Sequence, residues 1–375
     1  MDKKPLPKLF SSISLGNILI ENRVVVSPMC QYAADNGSMN EWHMAHLSSL
    51  SLSGAGLLFF EATSVSQEGR ITHGCAGLYS EKNYLAIKRV IEIIRKISPV
   101  KIGIQIAHAG RKASSNRPWD GGKLINIEDG GWQTYAPSSI AQIPGENPPI
   151  AMSLNDIEKL KNSYKSMIKK SKKLGFDVVE LHLAHGYLLH QFLSPLSNKR
   201  NDIYGGSLQN RMRLILEIFE IVREEAGSYM AVGARLSATD WTKDGWDITQ
   251  SIELAKKLEL HGADFLDISS GGLAFDQKIN LKPGYQVPFA KEIKKNINIP
   301  VIAVGLITKP KQAEEILNNN DADLIAMARS FISNPRWPWQ AAAELGATIN
   351  GYPQYFRCLP SNFPRIFGNT ITSQR

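Results

Sequence analysis

The chain has 375 residues, 43% hydrophobic and 21% charged, a composition that suits a folded globular protein and excludes a disordered or collagen-like one. A formal charge of +8 admits an acidic partner such as RNA, but the lysines fall at helical spacing (Lys169, Lys170, Lys172, Lys173; Lys291, Lys294, Lys295), where they read as solvated helix faces. No run reaches the roughly 20 apolar residues of a membrane span, the N-terminus lacks a secretory apolar core, and Cys30, Cys75 and Cys358 are scattered, so the expectation is a cytoplasmic protein without a metal centre.

In chain order, a strand is predicted over residues 23–27 and a helix over 41–53. A strand over 56–63 precedes a helix over 81–96, and a third strand covers 101–107. Residues 113–151 then break the pattern with Gly121-Gly122, Gly130-Gly131, Pro144, Pro148 and Pro149. A helix over 154–174, begun by Ser153 with Asp156 and Glu158 in its first turn, leads to a strand over 177–182. Helix 208–226, strand 230–236, helix 249–261, strand 264–269, helix 287–295, strand 300–304, helix 310–317, strand 323–327 and helix 335–345 complete the series. Gly175 and Gly262 sit where helices must stop. Eight strand-then-helix units predict an α/β fold, a closed (β/α)8 TIM barrel. The expectation is one domain over residues 1–375, with an insertion at about 113–151 and an irregular tail from about 356. The insertion follows the third strand, so it should form a lid or hairpin over the mouth.

Alternation along each strand separates the inward set from the outward one. Ile102, Ile104 and Ile106 should meet the helices, leaving Gly103, Gln105 and Ala107 inside. By the same parity Glu180 and His182, Gly233 and Arg235, and Asp267 and Ser269 face the lumen. Gln105, His182, Arg235 and Ser269 converge near the C-terminal strand ends, where this fold places its active sites. Polar groups there cost free energy unless paired, so a bound polar ligand is expected. Glu180 and Asp267 lie deeper and read as structural partners of lumen cations.

The run Leu181-His182-Leu183-Ala184-His185-Gly186-Tyr187 places two imidazoles and a phenol where a buried strand breaks into a loop. Imidazoles can donate to a developing oxyanion and a phenol can deliver a proton. Arg235 and Gln105 suit a flat heterocycle with imide groups. Ser269-Ser270-Gly271-Gly272, Val304-Gly305 and Ala328-Arg329, with a short helix after strand eight, suit a phosphate. Heterocycle and phosphate together describe a flavin mononucleotide.

Further motifs are Ser27-Pro28-Met29-Cys30-Gln31-Tyr32, Gln105-Ile106-Ala107-His108-Ala109-Gly110-Arg111-Lys112, and the long stretch Phe192–Ser207 with Asn210-Arg211. With the His182–Tyr187 run, these resemble the Old Yellow Enzyme family of FMN-dependent ene-reductases, in particular its thermophilic-like class with the xenobiotic reductases. The resemblance spans nearly the whole chain. It implies a tightly bound, non-covalent FMN, contacted by Ser27, Pro28, Cys30, Ala62, Gln105 and Arg235 at the isoalloxazine and by Ser270, Gly271, Gly305 and Arg329 at the ribityl phosphate. It implies that His182 and His185 hold the carbonyl oxygen of an activated alkene and that Tyr187 protonates the α-carbon. Cys30 would tune the flavin and touch the substrate, with Tyr32 and Lys112 lining the pocket. NADPH, preferred over NADH, would reduce the flavin first. Arg357 stands where relatives carry an arginine that enters a neighbouring subunit's site, which implies a homodimer or homotetramer. Two departures stand out: Ala328-Arg329 replaces the usual Gly-Arg pair, and Arg357-Cys358-Leu359-Pro360 replaces the usual continuation.

Three other enzyme readings compete with this one. A metal hydrolase would need a carboxylate to complete the His182/His185 set, and none is obvious. A flavin reductase of RNA pyrimidines would suit the charge but lacks an appended basic domain. An iron–sulfur dienoyl reductase needs four thiolates, and the chain has three cysteines. A flavin-storage protein would leave Tyr187 opposite a histidine pair unexplained. His43, His46 and His108 read as packed, surface or supporting residues.

Overall fold

A computed structural model describes residues 6–360 and 363–368; residues 1–5 of the expected domain, and residues 361–362 and 369–375 of the expected tail, lie outside the described residues. The chain enters through a short antiparallel hairpin, β1 (Ile13–Leu15) and β2 (Ile18–Ile20), turned at Gly16 with φ +53°. A Cβ at Gly16 would collide with the Asp264 carboxylate, so the turn needs a glycine for both conformation and space. Then follow β3 (Val24–Val26), α1 (Glu41–Ser51), β4 (Leu57–Ser64), α2 (Glu81–Ile97) and β5 (Lys101–Ala107). The insertion contains only the two-residue strands β6 (Tyr135–Ala136) and β7 (Ile150–Ala151) and two short 3-10 turns.

The remainder runs α3 (Leu154–Leu174), β8 (Val178–Leu183), α4 (Leu188–Leu193), α5 (Leu208–Ala226), β9 (Ala231–Ser237), α6 (Ile248–Leu260), β10 (Phe265–Ser269), α7 (Val287–Lys294), β11 (Val301–Ala303), α8 (Pro310–Asn318), β12 (Leu324–Met327), α9 (Arg329–Ser333) and α10 (Trp337–Leu345). Eight strands, β3, β4, β5, β8, β9, β10, β11 and β12, pair in parallel and close between β12 and β3, giving the expected (β/α)8 barrel. Helix ends obey local chemistry. Ser153 and Asp156 form a reciprocal capping box at α3, and Gly175 ends that helix at φ +80°.

The strand parity read from the sequence holds. Ile102, Ile104, Ile106, Val179, Leu181, Val232, Ala234, Leu266 and Ile268 pack in the outer layer against the helices. Val25, Leu57, Phe59, Val178, Ala231, Phe265, Ile302 and Leu324 fill the lumen, joined by Leu15 and Ile20 from the hairpin, both fully buried. The hairpin therefore stoppers the N-terminal end of the barrel. At the other end the insertion drapes over the mouth loops. Gln142 donates to Leu273 O, Arg111 to Ala141 O, and the Trp119 ring meets Tyr32 edge-on at 5.6 Å. The segment is no hairpin, because β6 and β7 run parallel; only Ser115 and Leu124 make an antiparallel bridge.

Candidate active site

The C-terminal strand ends carry the polar set expected of them. In neighbouring registers Gln105 faces Glu180, His182 faces Arg235, and Ser269 faces Ser237. The Gln105 amide donates to Glu180 Oε1 at 2.7 Å, and Arg235 Nε lies 3.2 Å from Asp267 Oδ2. Burial, reinforced by the Asp267 charge, pushes the Glu180 carboxyl up to about 8, against Arg235 and Gln105. Burial likewise raises Asp267 despite Arg235. Asp267 thus partners the lumen cation, as its depth implied, whereas Glu180 is held by the Gln105 amide and makes no ion pair among the described residues.

Above them the chain turns sharply after β8. His185 adopts φ +60° and Gly186 φ +72°, and a Cβ at Gly186 would collide with Gly272 O. This turn folds the His185 ring back to 5.1 Å from His182, and Tyr187 to 4.9 Å from His182, both nearly perpendicular. His182 Nδ1 accepts from Ala184 N–H at 3.3 Å, which leaves its Nε2 to carry the hydrogen. His185 Nε2 meets Ser269 Oγ at 2.7 Å, and Ser269 in turn donates to Gln286 Oε1, so Nε2 of His185 is the donor. Burial first and Arg235 second hold both imidazoles well below their usual range, so they stay neutral donors. Burial pushes the Tyr187 phenol well above its usual range, which keeps its proton in place at rest.

Several residues that hold this turn were not singled out from the sequence. Ser237 accepts from His185 N–H and donates to Gly271 O. Its inward parity follows from Gly233 and Arg235, but the predicted strand stopped one residue short. The Gly186 N–H donates to His190 Nδ1 at 2.9 Å, and His190 Nε2 lies 3.0 Å from Asp240 Oδ1, both side chains fully buried. Burial alone would raise Asp240; His190, Ser194 and the Trp246 N–H hold it below its usual range instead. The Lys112 ammonium donates to His185 O (2.8 Å) and Gly272 O (3.0 Å) and stands 5.0 Å above the Tyr187 ring. Burial, then Arg111, brings that ammonium down to about 8.

Ser27, Pro28, Cys30 and Tyr32 follow the C-terminal end of β3, and Ala62 lies in β4. Ser27 Oγ is buried without a hydrogen-bond partner. Tyr32 sits at φ +54°. On the opposite side Ser270 donates to Gln286 Oε1 at 2.6 Å. Gly271 (φ +72°) and Gly305 (φ +116°) expose backbone there, and a Cβ at Gly305 would come within 2.7 Å of Gln286 Nε2. Arg329 opens the expected short helix, α9, and is exposed. Gln286 has no sequence signal, because it lies in a loop without periodicity. Arg357 is exposed on a tail whose Tyr355 and Phe356 pack on the outer core, and among the described residues it makes no hydrogen bond or ion pair with the mouth.

An orphaned serine hydroxyl, a buried cation, and glycine-lined backbone along one rim fit a flat polar heterocycle with a phosphate tail. The comparisons with known proteins decide the family. The model of the NADH:flavin oxidoreductase / NADH oxidase family matches residues 8–347. The chain belongs to that family. Within it the chain is 40% identical over 351 residues to an NADPH dehydrogenase of Geobacillus sp. (strain WCH70), covering 93% of this chain and 98% of the relative. It is 41% identical over 360 residues to an NADH:flavin oxidoreductase of Gibberella zeae, covering 91% of this chain and 87% of the relative. Morphinone reductase, solved in complex with tetrahydroNAD, superposes with a TM-score of 0.74 at 25% identity, over 92% of this chain and 93% of its own. These matches also place the chain in the Old Yellow Enzyme family, as the motifs implied, and make it an FMN-dependent NAD(P)H oxidoreductase.

Proposed function

We propose that this oxidoreductase is an ene-reductase that saturates the C=C bond of an α,β-unsaturated carbonyl. The observation that carries the reading is the cluster His182, His185 and Tyr187, with ring centroids near 5 Å, at the mouth of a lumen that holds Arg235. Gln105, Ser27, Pro28, Cys30, Ala62 and Arg235 would hold an isoalloxazine, and Ser270, Gly271, Gly305 and Arg329 its phosphate, without a covalent bond. When bound, FMN would accept hydride from NADPH, preferred over NADH, and supply it to the alkene β-carbon. His182 and His185, as neutral Nε2–H donors, would grip the substrate carbonyl oxygen and stabilise the negative charge that gathers on it. In the resting arrangement Ser269 Oγ occupies the acceptor position of His185, and the carbonyl oxygen would take its place. Tyr187 would then pass its proton to the α-carbon. Lys112 would act on this chemistry by fixing the His185 and Gly272 carbonyls and by facing the tyrosine ring, and Tyr32 would bound the pocket.

The test begins with an absorption spectrum of the purified holoenzyme, then anaerobic NADPH, then cyclohexenone. A flavin band bleached by the first and restored by the second is expected; a protein that stays colourless in excess FMN would sink the reading. Tyr187→Phe should keep bleaching by NADPH but slow reoxidation by enones roughly 10²- to 10⁴-fold. Unchanged reoxidation would remove the proton-donor role. We further propose a homodimer or homotetramer in which Arg357 enters a neighbouring site. Light scattering on the wild type and on Arg357→Ala, with enone KM measured on each, tests that arrangement.

A further inference from the structure

The chemistry above gives no part to Glu61, a carboxylate only 3% exposed that stands next to Ala62 in β4. A bulge puts it there. Phe60 pairs with Ile104 and Thr63 with Ile106, so Glu61 and Ala62 together oppose the single residue Gln105. Such an extra residue re-aims a side chain away from its regular face. Glu61 thereby reaches the loop after β3 and the first turn of α1.

Two donors meet its two oxygens. Gln31 N–H donates to Glu61 Oε2 at 3.2 Å, and His43 Nε2 lies 3.2 Å from Oε1. His43 is fully buried, and its Nδ1 accepts from Asn40 N–H at 3.1 Å, which puts the ring hydrogen on Nε2, facing the carboxylate. The Gln31 side chain is fastened as well: its amide donates to Met29 O at 2.9 Å and accepts from Trp42 Nε1–H at 3.1 Å. The next residue, Tyr32, holds φ +54°, a strained conformation that persists only where its surroundings over-determine it. Cys30 immediately precedes Gln31. The anchor thus fixes, from behind, the backbone between two side chains assigned to the flavin and substrate pocket.

We propose that Glu61, oriented by His43, is a positioning residue that fixes the Cys30–Tyr32 backbone and, as a buried negative charge, holds down the reduction potential of bound FMN. Reduced flavin gathers negative charge, and a carboxylate shielded from water nearby opposes that gain. A glutamine at this position has one acceptor oxygen for two donors, and no charge. An aspartate keeps the charge but retreats by one methylene from Gln31 N–H. The inference rests on the placement of the isoalloxazine against Cys30 and Ala62 proposed above, and not on the alkene chemistry.

The experiment compares holoenzymes of the wild type, Glu61→Gln, Glu61→Asp and Cys30→Ala. The flavin potential is read by anaerobic equilibration with a reference dye, NADPH kinetics with an artificial electron acceptor, and stability by melting curves. Glu61→Gln should raise the potential, equivalent to a roughly tenfold stronger preference for reduced over oxidised FMN. Glu61→Asp should keep the wild-type potential but raise KM for NADPH several-fold at nearly constant kcat. A glutamine variant that melts earlier with an unmoved potential assigns Glu61 to packing and overturns the charge role; an aspartate variant with wild-type KM overturns the positioning role. If the glutamine variant does not retain FMN, the aspartate decides: a potential that rises with KM overturns the charge role, and one that holds supports it. Cys30→Ala separates this inference from its premise. A shifted potential there with none in Glu61→Gln overturns the Glu61 assignment alone, whereas no shift in either overturns the placement of the isoalloxazine.

Discussion

Glu180 behaves least like its solution counterpart. It is fully buried, one oxygen accepts from Gln105, and the other has no hydrogen-bond partner. Its carboxyl titrates at about 8 in the fold against 4.5 when free, so between those values the native state binds more protons than the unfolded chain. Stability linked to Glu180 is therefore fully present below pH 4.5 and is lost as pH rises through about 8. Glu180→Gln, which stays neutral, should remove roughly 1–3 kcal/mol of that decline, leaving the part due to Asp267. Melting temperatures of both proteins across that interval check it, and identical slopes would contradict it. Alternation along strands was enough to place Gln105, Glu180, His182, Arg235, Asp267 and Ser269 in the lumen. What it could not supply was partners. Lys112, expected to line the pocket, spends its donors on two backbone carbonyls, because that contact joins loops far apart in sequence.

The turn after β8 shows how an element turns a motif into a site. Leu181–Tyr187 was legible as chemistry from residue types alone, but its geometry depends on His190 and Asp240 beneath it. A dipole chain runs from the Asp240 carboxylate through the His190 ring to the Gly186 N–H, with Ser194 and the Trp246 N–H holding the carboxylate in turn. Asp240→Asn should let the ring rotate and misplace His185 and Tyr187, cutting kcat for enones roughly 10- to 100-fold. FMN content and the rate of bleaching by NADPH should stay near normal, because neither Arg235 nor the glycine rim is touched. Equal loss in both half-reactions would assign the pair to general folding instead. The insertion over 113–151 was readable as a lid from its glycines, prolines and position. Its internal pairing was not, since a parallel two-residue contact leaves no alternation to detect.

At the scale of the molecule, eight alternating units were sufficient to predict the closed barrel, because buried parallel strands need helices on their outer face. The lumen is filled by pairing large residues with glycines: Phe59 lies over Gly103 and Phe265 over Gly233, with the two rings 6.2 Å apart. Gly233→Ala would drive a methyl into the Phe265 ring and should cost roughly 1–3 kcal/mol, read as a lower denaturant midpoint at unchanged slope. A neutral effect would mean that the layer is looser than its contacts imply. The entry hairpin escaped the sequence reading although Gly16-Asn17 between apolar runs is a turn signal. Each strand has only three residues, too few for alternation to stand out.

That hairpin makes the barrel a blind well. With Leu15 and Ile20 wedged into the N-terminal end, the lumen offers guests no back door, and the C-terminal end is partly roofed by the insertion. Under the function proposed above, electron donor and electron acceptor would queue for a single entrance, each leaving before the other arrives. Crowding the queue with either one should slow the other: steady-state rates should turn downward at high enone, and extra NADPH should relieve the block.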